Sequence, residues 1–116
     1  MAKLPEDLRN MLPLTPAVFF ILLALAEGEK HGYVIMQEVG ELSAGEVKMG
    51  PGTLYTTIQR LLDLGLIEET RSDEAERRRR YYRLTRTGKL LLETEVARME
   101  EVVRMARSRK LVPDAK

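Results

Sequence analysis

The chain has 116 residues, 44% of them apolar, with no cysteine or tryptophan and 19 basic against 18 acidic side chains. That is one small domain with enough apolar content for a packed core, and it excludes disulfides, thiolate zinc sites and thiol nucleophiles. The near-neutral total hides an asymmetry: residues 1–45 carry 3 basic and 6 acidic side chains, residues 46–116 carry 16 and 12.

No basic run followed by an apolar core opens the chain, so no signal peptide is read and a cytoplasmic location is expected. Leu4, Leu8, Met11 and Leu12 recur at helical spacing after Pro5, Glu6 and Asp7, which predicts a short amphipathic helix ending before Pro13. So small a domain offers it little to pack on, so Leu8 and Met11 are candidate contacts with a partner subunit; the alternative is a frayed end. Thr15-Pro16 is a second start signal, and Ala17 to Ala26 is apolar throughout. Ten residues cannot span a bilayer, so this is the central core helix, stopped by Gly28, and no membrane partner is expected. His31 to Ser43 reads as another helix through Tyr33, Ile35, Met36, Val39 and Leu42, with Gly45 as its C-cap. His31, the only histidine, has no further ligands at matched spacing, so it is read as a capping or packing residue and no metal is expected. Val47 to Met49 is read as a short strand.

Pro51 to Ile67 is the most informative stretch. Gly50-Pro51 starts a helix, Leu54, Ile58, Leu61 and Leu62 form one apolar face, and Gly65 ends it. Thr53, Tyr55, Thr56, Gln59 and Arg60 fall largely on the opposite face. Hydroxyls, an amide and a guanidinium on a short helix suit a major groove. An ordinary surface helix has the same make-up, and the stretch alone does not decide between them.

Leu66–Ser72 and Arg77–Leu84 then form a hairpin around the acidic turn Asp73-Glu74-Ala75-Glu76. The returning strand carries Arg77, Arg78, Arg79 and Arg80, and strand alternation sends at least two of them outward in any register. Glu68, Glu69, Asp73, Glu74 and Glu76 could neutralise them. The candidate groove helix just before the hairpin favours phosphate or minor-groove contact instead. Thr85 caps a last helix running to about Arg109. Leu92, Val96, Met99, Val103 and Ala106 are spaced 4, 3, 4, 3 along it, a heptad seam suited to self-association; packing back on its own domain is the alternative. A disordered tail is expected at 111–116.

The predicted class is mainly α with a small β-hairpin wing: a winged helix-turn-helix plus a long C-terminal dimerisation helix. Residues 1–13 form the N-terminal helix, 14–85 the winged unit, 86–110 the pairing helix and 111–116 the tail. One histidine and no cysteine count against an enzyme. So does a GxG at residues 50–52 that lacks a preceding strand, a third glycine and a lysine. Glu68 and Glu69 alternate faces and make no catalytic dyad, and no cofactor is expected.

Several blocks also resemble the PadR-type transcriptional regulators. They are His31-Gly32-Tyr33, Thr53-Leu54-Tyr55, Arg60-Leu61, Gly65-Leu66-Ile67, and Arg79-Arg80-Tyr81-Tyr82-Arg83-Leu84-Thr85 followed by Gly88. Each block is short; their order and spacing from about Leu14 to Leu92 make the resemblance. It implies a homodimeric regulator, usually a repressor, on a pseudo-palindromic double-stranded DNA operator, with the C-terminal helix packed on the partner. The short C-terminal part is similar to the shorter PadR subgroup, which includes repressors released by small-molecule drugs. Those stack drugs on a tryptophan of the dimer helix; here that helix has Met99 and Met105 and no aromatic, which counts against that mode. An effector would act by changing the angle between subunits. On this reading two groove helices would lie about 34 Å apart. Thr53, Thr56 and Gln59 would face bases. Lys48, Tyr55 and Arg60 would hold phosphates, and Arg77 to Arg80 would supply salt-dependent affinity. The alternative function is a winged-helix protein-interaction module without direct DNA binding.

Overall fold

The structure is a computed structural model that describes residues 3–73 and 76–113, with side chains outside 71–79. Glu74 and Ala75 in the wing's turn and residues 114–116 of the tail lie outside the described residues.

The N-terminal helix is a single turn, α1 (Glu6–Arg9). Its apolar side chains turn inward. Leu4 and Leu8 are buried in the core, and Met11 and Leu12 pack half-buried against it. This corrects the expectation that the segment needs a partner: Leu8, 5% exposed, is taken up by its own protomer. Helix α2 (Pro16–Leu25) starts where Thr15 caps it, its hydroxyl accepting the Val18 N–H at 3.3 Å. Its apolar sequence places Val18, Ile21, Leu22, Ala24 and Leu25 in the core.

Strand β1 (Lys30–His31) leads directly into α3 (Gly32–Leu42), and α4 (Pro51–Asp63) completes the helix pair. The connection between them turns at Gly45, whose φ of +81° is left-handed. Ser43, buried, accepts the Val47 N–H at 2.9 Å. Val47 to Met49 is not a strand. It pairs with none of the three strands, of which β3 (Glu76–Leu84) is the central one, and Met49 inserts into the core instead. The two wing strands, β2 (Ile67–Asp73) and β3, pair antiparallel, giving the sheet order β1-β3-β2. Ile67 faces Leu84, Glu68 faces Arg83 and Glu69 faces Tyr82. The register then shifts, so that Arg71 faces Tyr81 and Ser72 faces Arg80.

Helix α5 (Arg86–Ser108) is capped by Thr85, whose hydroxyl accepts the Gly88 N–H at 3.0 Å. The same hydroxyl donates to the Gly65 carbonyl at 2.6 Å, and the Thr85 N–H donates to the Leu66 carbonyl at 3.1 Å. The left-handed end of α4 at Gly65 is thereby clamped to the start of α5. Leu91, Leu92 and Glu95 are buried in the first half of α5. Leu92 is thus a core residue, which corrects its place in the exposed seam. Beyond it the helix leaves the domain: Val96, Val102, Val103 and Met105 are exposed, with Met99 and Ala106 half-buried. Leu111 closes the helix end by donating its N–H to the Ala106 carbonyl. No helix among the described residues is long and apolar enough to cross a membrane.

Glu95 is fully buried. One carboxylate oxygen accepts the Leu14 N–H at 2.7 Å and the other accepts Arg98 Nε at 2.5 Å. Burial alone would push its pKa up. The Arg98 hydrogen bond, the Leu14 N–H and the Arg98 charge together outweigh that and hold the carboxyl below the usual range. Because the folded pKa is lowered, the charge stabilises the fold above the pH where a free glutamate titrates. That contribution is lost as pH falls through the lowered value.

Candidate nucleic-acid interface

The face of α4 opposite its buried Leu54, Ile58 and Leu61 is the exposed surface that the sequence singled out. Spacing of three and four residues puts Thr53, Thr56, Gln59 and Arg60 on one side of the helix, all exposed. The Thr56 hydroxyl donates to the Gly52 carbonyl at 2.9 Å, which keeps its oxygen's acceptor capacity directed away from the helix. Gln59 donates one amide hydrogen to Asp63 at 3.0 Å. Its carbonyl and second amide hydrogen form the donor–acceptor pair that adenine presents a match for. Asp63, which sequence reading passed over, therefore orients Gln59. Tyr55, Thr56, Gln59, Arg60 and Asp63 line one shallow concavity. Lys48, exposed in the loop before α4, lies outside it, as does Thr53.

Tyr55 has a packing role as well as an exposed edge. A Cβ built on Gly32 would sit 2.6 Å from the Tyr55 hydroxyl and 2.8 Å from its ring, so the phenol end of Tyr55 packs against the glycine that opens α3. Gly32 in turn follows His31, whose backbone pairs with Tyr81 of the wing. The His31 ring stacks on Tyr33 at 6.4 Å and meets the edge of Tyr81 at 5.6 Å. His31 is the N-cap of α3 by position but makes no side-chain cap bond, so its role is packing. The His31-Gly32-Tyr33 block is thus the junction where α3, α4 and the wing sheet meet. Beside it Tyr82 is buried, and burial followed by the Glu69 charge raises its pKa against the opposing pull of Arg80. Lys30 is held by Glu38 at 2.6 Å and Glu27 at 3.4 Å. These carboxylates outweigh the effect of its burial and raise its pKa.

On the wing, β3 carries the arginine run. Arg77, Arg78 and Arg79 lie on this strand by backbone, and their side chains fall outside the described ones. Arg80 is exposed and sits 3.6 Å from Glu69. Arg83, quoted in the PadR-like block but not among the expected DNA contacts, pairs with Glu68 at 2.6 Å. Both pairs are solvent-exposed, so each contributes little to stability and yields readily to a competing phosphate. Among the described residues no cluster of histidine, cysteine or carboxylate side chains has the makings of a metal site.

The profile of the PadR-like transcriptional regulator family matches residues 21–94. The chain belongs to this family. A PadR regulator is not an enzyme, in keeping with the sequence expectation. The chain is 37% identical over 84 residues to the transcriptional regulator Rv3488 of Mycobacterium tuberculosis, covering 72% of this chain and 76% of that protein. Among solved structures, a PadR family transcription regulator of Clostridium difficile superposes with a TM-score of 0.69 at 27% identity, covering 81% of this chain and 97% of that one. Bacillus subtilis PadR, solved in complex with operator DNA, superposes with a TM-score of 0.63 at 25% identity, covering 72% of this chain and 47% of that one. The matched span ends at residue 94, just before the exposed part of α5.

Proposed function

We propose that this PadR-family chain is a sequence-specific DNA-binding regulator acting as a homodimer, and that it represses from a pseudo-palindromic operator. The observation that carries the reading is the exposed polar face of α4, held by a fully buried opposite face and followed directly by the arginine-bearing wing. The Bacillus subtilis relative bound to operator DNA supports it. Residues 14–85 form the reading unit. The part of α5 from Val96 to Ala106 pairs the two copies and sets their α4 helices in successive major grooves. Leu4 and Leu8 of the N-terminal segment pack into the core of this unit. Release by a small-molecule effector fits a groove of about 590 Å³ between the end of α2, the end of β3 and α5, with Leu25, Leu84, Leu92 and Val96 among its walls. A ligand there would press on the junction between the reading unit and the pairing helix.

The test is DNA binding by fluorescence anisotropy across a salt series. Replacing Arg77 to Arg80 with alanine is expected to weaken binding to all sequences alike. The salt slope should flatten by roughly 0.9 for each phosphate no longer neutralised. Salt-insensitive or absent DNA binding by the native chain would overturn the reading in favour of a protein-interaction module. Gln59→Ala is expected to behave differently. It should leave the salt slope alone and cost about 1–3 kcal/mol of discrimination at one base pair of the selected operator. A Gln59→Ala protein that ranks the operator's point variants as the native chain does would reject the assignment.

A further inference from the structure

Glu95 is the only fully buried charged side chain among the described residues, and nothing in the DNA-reading face uses it. A buried carboxylate is a costly core residue, and an apolar side chain of its volume would seal the same space. What the carboxylate adds is direction. Apolar contacts tolerate rotation and sliding of a helix, whereas the 2.7 Å bond from the Leu14 N–H, which crosses from another segment to α5, does not; the 2.5 Å bond from Arg98, on the same helix, holds the carboxylate in place to receive it. The groups joined are informative. Leu14 immediately precedes the cap of α2, the central helix of the reading unit, and Arg98 lies on α5 itself. Glu95 stands one residue before Val96, where burial of α5 ends and the exposed seam begins. The bond from Leu14 to Glu95 therefore fixes the pairing helix to the reading unit at the point where α5 leaves it.

We infer that Glu95 is a positioning residue that sets the angle between the pairing helix and the reading unit, and through it the spacing of half-sites the dimer accepts. The inference rests on the dimeric DNA-binding reading above. A small rotation of α5 about this point displaces both α4 helices, because the two copies are related by symmetry.

The experiment uses the full chain and an operator selected from random DNA. Affinity is measured for that operator and for versions with one base pair inserted or removed between half-sites. The native chain is expected to discriminate by roughly a hundredfold, since a misspaced site engages one half only. Glu95→Leu fills the volume without the bonds. It is expected to stay helical by circular dichroism and dimeric by sedimentation, and to bind the misspaced operators within about tenfold of the native one. Glu95→Gln keeps an acceptor for the Leu14 N–H and loses the ion pair with Arg98, so an intermediate preference is expected. The native preference retained in Glu95→Leu overturns the inference, and if the leucine variant fails to fold, the same outcome in Glu95→Met, which also removes the acceptor for the Leu14 N–H, overturns it instead. A native chain that does not bind DNA, or binds it as a monomer, overturns the underlying reading instead.

Discussion

Gly88→Ala is expected to be the most destabilising single substitution at a glycine of this chain. A Cβ at residue 88 would lie 1.9 Å from the Leu66 carbonyl oxygen and 2.9 Å from its carbon. These are backbone atoms, and they cannot swing aside. The Leu66 oxygen already accepts the Thr85 N–H, and the neighbouring Gly65 oxygen accepts the Thr85 hydroxyl. Retreat would break the clamp between the end of α4 and the start of α5. Alanine is intrinsically the better helix former by about 1 kcal/mol, so the clash must exceed that gain to show at all. Overpacking against a fixed backbone exceeds it, and the net loss should be about 3 kcal/mol, or a fall in Tm of roughly 10 °C. Gly40→Ala is the matched control. It lies within α3 with open space around its Cβ position, so it should stabilise the fold by up to about 1 kcal/mol. Thermal melts of the two variants check the pair; a Gly88→Ala protein as stable as the native one would refute the close approach. Gly32→Ala stands between them, because what it meets is the far end of the partly exposed Tyr55 side chain, which can rotate.

The same contrast between local pattern and tertiary placement explains what could be read from the sequence. Caps and breaks are local: Thr15, Gly65 and Thr85 act within a few residues, and each does in the fold what its position suggested. The apolar face of α4 is equally local, and Leu54, Ile58 and Leu61 are buried as their spacing requires. The strand at Lys30–His31 has no local signal. Two residues carry no period, and the strand exists because β3, far along the chain, presents an open edge. Periodicity also assigns side chains to a face without saying what covers it. Leu8 and Leu92 lie on apolar stripes as read, but their cover is their own domain. Glu95 was invisible for the opposite reason. On a helix rich in charge it looks like one more solvated glutamate, and only the arrival of Leu14 from the far end of the chain makes it a buried ligand for a backbone N–H. Asp63 was missed likewise, since its importance lies in the amide it orients.

Val96→Glu is expected to abolish pairing and with it most of the DNA affinity. Val96 is the first exposed residue of the seam, 38% accessible in the isolated chain, and it lines both the groove at the base of α5 and the shallower one running on past Met99 and Val103. Glu93 and Glu100 flank it at i−3 and i+4 on the same helix face, so a new carboxylate here meets like charges as well as an apolar surface. In a two-fold interface the substitution occurs twice, and each copy would carry an unpaired charge into the contact, which costs several kcal/mol apiece. The protomer itself should survive, because Leu91, Leu92 and Glu95 hold the first half of α5 in the core independently of the seam. Far-UV circular dichroism should therefore change little while sedimentation reports a monomer. Binding to a full operator should fall by roughly 10² to 10⁴, the advantage of engaging a second half-site from the same complex. Affinity for an isolated half-site should be unchanged, because the reading face of α4 is untouched. A variant that sediments as a dimer would move the pairing surface away from α5. A monomer that binds the full operator as tightly as the native chain would show that each copy reads its half-site alone.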